Sequence, residues 1–218
     1  MQRPQASSAL SEALVAAFPA RLAEDVRAVL PIMPDARVLR AGPLPVEVEG
    51  VRIALPSRIH HDEPSGEPER SLTGTQQVIL HCLYSRHHDG RVRQRRLGMI
   101  VGSSEPWVVP FVVQLAGEYV VEILETILQG LTDLGVPGSC RRKLYGEFVA
   151  RNPSYFARTE RRMVSYWSCH HRRQFPEFGT YPGGILAEAL RSAASEQAGM
   201  PWPRQTPRPR TAPGGRRS

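Results

Sequence analysis

Apolar residues recur at helical spacing through most of the chain, and this pattern predicts a mainly helical fold. In residues 11–30, Leu14, Phe18 and Leu22 follow one another at four-residue steps, as on one face of an amphipathic helix. Pro19 lies inside this segment and should split or kink it, because proline lacks the amide hydrogen that a helix interior needs. The same reasoning predicts further helices over residues 76–85, 91–101, 106–131, 139–150 and 185–194.

Capping residues mark where several of these helices should begin. Asp89 precedes the helix predicted at 91–101, and Ser139 stands at the start of the helix predicted at 139–150. Asn152 followed by Pro153 predicts an N-cap and a first-turn proline for one more helix, which continues toward Trp167. Each predicted start therefore has a side chain suited to accept an amide hydrogen.

Residues 106–131 are predicted to form the central helix. Apolar residues cover most of its circumference, which is typical of a helix surrounded by core. Pro110 should kink its first turns. We expect the core to lie between this helix and the helices near residues 78–83 and 156–167. The polar residues of the central helix fall on one line: Gln114, Glu118, Glu122, Glu125 and Gln129.

One β-hairpin interrupts the helical pattern. Apolar and charged residues alternate over 46–53 on both sides of Gly50, which predicts a hairpin at about residues 45–55 with one buried face. A lone hairpin is unstable in water and must pack on the helices. Residues 58–70 are polar and predict a loop. The fold class is therefore mainly α, as one compact helical domain over residues 1–198.

The last twenty residues have a different composition. Residues 199–218 contain five prolines, three glycines, five arginines and no acidic residue, which predicts a disordered basic tail. The net charge of the chain is +7, and without the five tail arginines it is +2 for residues 1–198. The domain itself is therefore nearly neutral. The chain has a single lysine, Lys143, and a high-GC genome accounts for such arginine preference without any functional demand.

Cysteine content and apolar runs indicate a cytoplasmic protein. Cys82, Cys140 and Cys169 are odd in number and widely spaced, so we expect free, buried thiols in a reducing compartment. The longest uncharged apolar run covers residues 106–117, fewer than the ~20 residues that a bilayer requires. We therefore expect no association with a membrane. The oligomeric state is not predicted by any of these features.

Residues 76–131 resemble a HEAT-type helical repeat. One helix ends at a turn with Asp89, and the next opens with Val92 and Arg93 and places Leu97 four residues later. In a HEAT unit the aspartate caps, the valine packs and the arginine pairs with a neighbouring unit. HEAT-like arrays usually serve as binding scaffolds, so the resemblance implies an interaction role.

A second resemblance concerns lineage. The chain is similar to uncharacterised actinobacterial proteins over three short stretches, residues 86–89, 105–119 and 164–167. This resemblance implies no activity.

Candidate metal and catalytic residues lack the spacing that their chemistry requires. Zinc takes about four nitrogen or sulfur ligands, and no Cys-x-x-Cys, His-x-x-x-His or His-Glu-x-x-His motif occurs. We therefore predict no metal, no cofactor and no catalytic residue, and an enzyme of unrecognised type is only a second alternative. The side chains weighed as metal ligands are His81, His87, His88, Cys169 and His170.

The glutamates of the central helix present a similar choice. Glu118, Glu122 and Glu125 suggest a carboxylate metal site, but di-metal bundles also need a Glu-x-x-His motif, which is missing. We instead expect these glutamates to face water or to pair with arginines of residues 91–96 or 158–162.

Two arginine clusters form the candidate binding surface. The favoured prediction is a non-catalytic interaction or scaffold protein with an unidentified protein partner. The alternative is nucleic-acid binding, because phosphates require such charges and bases stack on nearby rings such as those of Tyr155, Tyr166 and Trp167. A third basic stretch at residues 141–143 adds to this alternative. The predicted surface residues are His87, His88, Asp89, Arg91, Arg93, Arg95, Arg96, Arg158, Arg161 and Arg162.

Overall fold

The computed structural model describes residues 3–34, 43–64 and 66–207, and it confirms a mainly helical fold with one hairpin. The helices are α1 (Arg3–Val15), α2 (Ala23–Val29), α3 (Glu67–Arg70), α4 (Gly74–Tyr84), α5 (Gly90–Ile100), α6 (Val109–Ala116), α7 (Val121–Gly130), α8 (Cys140–Arg151), α9 (Pro153–Tyr166) and α10 (Pro182–Ala198). The strands are β1 (Leu44–Val48) and β2 (Val51–Leu55). Short 3-10 turns lie at Ala20–Leu22, Leu30–Ile32, Thr132–Gly135 and Phe178–Thr180, and a π-helical segment, Trp167–His171, follows α9.

The first helical segment divides at Pro19, as predicted. Helix α1 ends at Val15, and a 3-10 turn leads from Pro19 into α2. The break turns Phe18 into the core, where its ring lies 5.7 Å from that of Trp107 and 5.3 Å from that of Phe111. The N-terminal helices are thereby anchored on the centre of the molecule.

The predicted hairpin is confirmed. Val48 pairs with Val51, so a two-residue turn joins the strands. Both turn residues have positive φ, 51° at Glu49 and 78° at Gly50, as in the type I′ turn that suits the twist of a hairpin. The buried side chains are those of one face: Val46, Val48, Ile53 and Leu55.

The central helix is the main correction. The pattern over residues 106–131 predicted one helix, but the structure has two, α6 and α7, with Gly117 to Val120 between them. Gly117 lies against α9, where an added Cβ would be only 3.3 Å from a methyl carbon of Thr159. Glu118 turns inward and is fully buried, whereas Glu122 and Glu125 are exposed. The polar line of the predicted single helix therefore does not form.

The capping predictions hold for two helices and fail for a third. The Asp89 side chain accepts a hydrogen bond from the amide of Arg91 at 2.8 Å, and Ser139 accepts one from Arg142 at 3.1 Å. Asn152 makes no capping bond at the start of α9. Its amide group instead donates to the carbonyl of Glu47 at 2.9 Å and accepts from the Glu47 amide at 2.7 Å. Asn152 thus fastens the hairpin to the helices.

Helices α8 and α10 pack closely against each other. A Cβ built on Gly146 would be 2.5 Å from the carbonyl oxygen of Ala193, so only glycine allows this approach of the two backbones. Helix α10 is also longer than predicted, because it begins at Pro182 and ends at Ala198.

The first part of the predicted tail is packed on the protein. Trp202 is half-buried against the core, and its amide donates to Ser195 of α10 at 2.9 Å. The Thr206 hydroxyl accepts a hydrogen bond from buried Arg191 at 2.8 Å. The packing of Trp202 and the hydrogen bond to Thr206 therefore hold this segment on the domain, although its composition predicted a disordered tail. Residues 208–218 lie outside the described part of the chain.

The three cysteines are free, as predicted, but only Cys82 is buried. Cys140 and Cys169 are exposed, which corrects the expectation that all three lie in the core. Over the residues that the structure describes, no helix is both long and apolar enough to cross a membrane.

Candidate functional site

The structure divides the predicted binding surface into exposed and buried residues. Arg162 is half-buried. His87, Arg93 and Arg96 are buried. The exposed members are His88, Asp89, Arg91, Arg95, Arg158 and Arg161.

Arg96 belongs to an ion-pair group that fastens the segment before α4. Its guanidinium pairs with Glu69 of α3 and lies 3.1 Å from Glu63. Arg95 pairs with Glu63 as well. These contacts hold the segment with Glu63 and Glu69 against α5, although its polar composition predicted a loop. Arg96 therefore contributes to the fold rather than to a free surface.

Arg93 belongs to a second group, built around Glu118. Glu118 Oε2 lies 3.2 Å from Arg93 Nη2, and Oε1 lies 2.6 Å from Arg58 Nη2. Arg162 Nη2 of α9 approaches the same Oε1 at 3.9 Å. Pairing of a glutamate with arginines of residues 91–96 or 158–162 was one of the two expected outcomes, and it is found at Glu118. The break between α6 and α7 makes this possible, because it turns the carboxylate toward α5 and α9.

Arg86 is the fourth arginine of this group. It is fully buried, and its Nη2 donates to the carbonyl of Ser57 at 2.6 Å. Arg58 Nη1 donates to the same carbonyl oxygen at 3.2 Å. A parallel bridge between Ile59 and His87 holds this segment beside the end of α4. We call Arg58, Arg86, Arg93, Arg162 and Glu118 the arginine centre.

The arginine centre is unusual in its balance of charge. It contains four guanidinium groups and one carboxylate, an excess of three positive charges. Other buried arginines in the described ranges have as many carboxylates as guanidiniums around them. These groups are Arg142 with Glu196, Arg95 and Arg96 with Glu63 and Glu69, and Arg191 and Arg204 with Glu160 and Glu188.

The proton equilibria of the arginine centre reflect that excess. Burial alone would raise the pKa of Glu118, but the charges of Arg58, Arg93 and Arg86 outweigh it and hold this pKa below its ordinary value. Burial, together with the neighbouring charge of Arg58, lowers the pKa of Arg86 to about 9. With a pKa of about 9, Arg86 remains charged at neutral pH, and the lowered pKa of Glu118 keeps its carboxylate ionised.

Exposed rings lie beside the arginine centre. The ring of Tyr119 is 5.9 Å from that of Tyr166 and 6.5 Å from that of His170. The guanidinium of Arg162 lies over the Tyr166 ring at 5.7 Å. His171 Nε2 is 2.7 Å from the Tyr119 carbonyl, and an open cavity of about 360 Å³ lies next to these residues.

Exposed arginines continue this surface along α9. Arg161 and Arg162 follow Arg158 by three and four positions, which places both of them beside Arg158 on the surface of the helix. Arg158 and Arg161 form no ion pair with any residue that the structure describes, and neither does Arg173 just beyond the helix. Together with the rings of Tyr119, Tyr166 and His170, the arginines Arg158 and Arg161 form what we call the α9 face.

The histidines weighed as metal ligands have other contacts. His87 Nδ1 accepts a hydrogen bond from the Asp89 amide at 3.0 Å, so Nε2 carries the proton and donates to the His61 carbonyl at 2.8 Å. His81 lies 3.1 Å from Arg96. Nowhere in the described ranges do three or more histidine, cysteine or acidic side chains converge so that they could hold a metal ion.

The structure also changes the basis for nucleic-acid binding. In the stretch at residues 141–143, Arg141 pairs with Asp133 and Arg142 with Glu196. Tyr155 and Trp167 are buried. Only Tyr166, among the three rings considered for stacking, is partly accessible.

Sequence reasoning missed two members of the arginine centre, Arg58 and Arg86. Arg58 lies in a segment predicted as loop, and Arg86 lies at a helix end where arginine is usually solvated. The one available signal was Gly117 followed by Glu118 within a long apolar run, a place where a helix ends easily. No protein-family model, curated protein or solved structure matches this chain.

Proposed function

We propose that this chain is a non-catalytic interaction protein and that the α9 face binds an acidic segment of a protein partner. The observation that carries the proposal is the set of exposed arginines on α9 without carboxylate partners in the described residues. An acidic peptide would supply the missing charges, and the rings of Tyr119 and Tyr166 would pack against its side chains. Arginine and tyrosine are also the residues that most often dominate binding energies at interfaces.

Binding of single-stranded nucleic acid is the second candidate. It is favoured by the exposed ring of Tyr119 next to those of Tyr166 and His170, because bases stack on such rings while phosphates contact arginine. The two candidates share the charges of the α9 face and differ in how much they depend on the rings. They also differ in salt dependence, which is steep for nucleic acid.

Direct binding of two probes tests both candidates. Fluorescence anisotropy would follow a labelled glutamate-rich peptide and a labelled single-stranded oligonucleotide of equal charge at several salt concentrations. The proposal expects peptide binding that Arg158→Glu with Arg161→Glu abolishes. The matched control is Arg27→Glu with Arg70→Glu, which makes the same change in charge at exposed positions of α2 and α3.

The outcomes separate the candidates. Peptide binding that is lost in the α9 variant and kept in the control supports the interaction proposal. Oligonucleotide binding without peptide binding, further weakened by Tyr119→Ala, favours the second candidate. Absence of binding to either probe, or equal losses in both variants, overturns the assignment of the α9 face.

A further inference from the structure

The arginine centre has donors that no described residue uses. Arg86 Nη1, Arg93 Nε and Arg162 Nε are buried, and none of them has a hydrogen-bond acceptor in the described part of the chain. A buried donor without an acceptor destabilises the folded state, and it does so more strongly when the group is charged. Such donors are unusual in a folded protein, so three in one cluster require an explanation.

The balance of charge in the arginine centre is a second indication that a ligand binds there. Glu118 can neutralise one of the four guanidinium groups around it, whereas each other buried arginine group in the described ranges is balanced. Taking unpaired charge out of water is costly, and groups of this kind are normally paired or bind an ion. The centre therefore has an excess of positive charge that a bound anion would balance.

Two arginines of the arginine centre are partly exposed to solvent. Glu118 is fully buried, but the Arg58 side chain is 26% exposed and that of Arg162 is 32% exposed. The terminal nitrogens of both arginines approach the same buried oxygen, Glu118 Oε1, so these two partly exposed guanidinium groups lie close to each other. Arg162 contacts Glu118 only at 3.9 Å and donates no hydrogen bond to any described residue, so its exposed guanidinium nitrogens can bind a ligand there.

We propose that the arginine centre is a binding site for a phosphate group, which Arg58 and Arg162 contact at the surface. Guanidinium groups match phosphate oxygens in geometry, and several arginines around one site are typical of phosphate recognition. Glu118 holds the arginines in position and limits the charge, so that the site is occupied reversibly. The proposal is independent of the α9 face as a surface for acidic peptides, because it requires neither Arg158 nor Arg161.

Inorganic phosphate tests the site on the full-length protein. The melting temperature and the calorimetric binding isotherm are measured with millimolar phosphate against chloride at equal ionic strength, since higher phosphate stabilises proteins generally. We expect a saturable rise in melting temperature with phosphate. Arg162→Gln should weaken the calorimetric affinity at least about tenfold, the loss expected from one charged hydrogen bond of about 1.5 kcal/mol or more.

Two further variants keep the test decisive. Arg58→Gln is expected to weaken phosphate binding in the same way and replaces Arg162→Gln if the latter does not fold. Arg142→Gln removes an arginine from the balanced pair with Glu196 and should leave phosphate affinity unchanged. The proposal is overturned if phosphate and chloride act alike, or if Arg142→Gln reduces the affinity as much as Arg162→Gln.

The affinity for a nucleoside monophosphate, compared with that for inorganic phosphate, shows whether the site recognises more than the phosphate group. Affinity equal to that of inorganic phosphate supports a site for the phosphate group alone. Tighter binding that Tyr119→Ala reverses supports a phosphorylated ligand whose base stacks on the rings next to Arg162. Affinity weaker than the calorimeter detects for both probes overturns the site.

Discussion

Glu118 Oε2 lies 3.2 Å from Arg93 Nη2, and this buried ion pair joins the break between α6 and α7 to the first turn of α5. Arg93 also donates two bonds of 2.9 Å to the carbonyls of His87 and His88, at the end of the preceding turn. Through Arg58, Arg93 and Arg162, the Glu118 carboxylate contacts three segments that are distant from one another in sequence. A residue predicted to belong to a stripe on one helix is instead a central electrostatic contact of the fold.

Replacement of Glu118 should therefore destabilise the protein strongly. Glu118→Gln removes the only carboxylate of the arginine centre and leaves buried guanidiniums without a counter-charge. We expect a loss of about 3–5 kcal/mol in the free energy of unfolding, measured by urea denaturation. Glu122→Gln, at an exposed position of α7, is the control and should change stability by less than about 0.5 kcal/mol. Equal stability of the two variants would contradict the assigned role.

Stability should decrease as the pH falls below neutral, because of His87. Burial, only partly offset by the bond to the His61 carbonyl, lowers the pKa of His87 below its ordinary value of 6.5. Below pH 6.5 the unfolded chain therefore binds a proton that the folded chain does not, which favours unfolding. Protonation of Nδ1 would also break its hydrogen bond with the Asp89 amide. We expect a lower melting temperature at about pH 5.5 than at about pH 7.5.

A comparison of two histidine variants isolates this effect. His87→Gln should reduce the difference in melting temperature between the two pH values. His170→Gln, at an exposed position, should leave the difference as it is in the unaltered protein. The interpretation fails if the pH difference persists in full when His87 is replaced.

Asn152 is expected to be important for the hairpin. Asn152→Ala would leave the amide and carbonyl of Glu47 without the side chain that they bond to. We expect a loss of about 1–3 kcal/mol in unfolding free energy and faster hydrogen exchange at Glu47. Ser154→Ala, at an exposed position in the same turn, serves as the control. Unchanged exchange at Glu47 would argue against the link.

Two glycine substitutions should have opposite effects. Gly146→Ala places a methyl group against the Ala193 carbonyl and should cost about 1–3 kcal/mol by forcing α8 and α10 apart. Gly98→Ala lies on α5 with nothing within 4 Å of the new methyl group and should stabilise the protein by about 0.5–1 kcal/mol. Thermal unfolding of both variants checks the packing of the two helices, and stabilisation by both would be inconsistent with it.

Local patterns predicted the parts of the fold that depend on local interactions. The break at Pro19, the cap at Asp89 and the hairpin turn at Gly50 each follow from properties of one or two neighbouring residues. The core helices near Trp107 follow from the apolar pattern alone. These features were predictable because nearby residues determine them.

Long-range contacts determined what the sequence did not predict. Within the helix pattern over residues 106–131, Gly117 is a weak local signal for a break, and the arginines that Glu118 reaches there are distant in sequence. Asn152 has the right residue type for a cap, but Glu47 offers it a better pair of partners. Of the predicted binding residues, Arg93 and Arg96 are buried because carboxylates far away in sequence lie against them. Charge along a sequence does not reveal which charges are already paired.

The link between Asn152 and Glu47 also affects the order of folding during synthesis. The two residues are 105 positions apart in the chain. At about 5–20 residues per second, roughly 5–20 s separate their emergence from the ribosome. During that interval the outer edge of β1 lacks the side chain that covers it, and open strand edges favour pairing with other chains. The hairpin is thus one of the earlier elements to be synthesised and one of the later elements to be fixed in place.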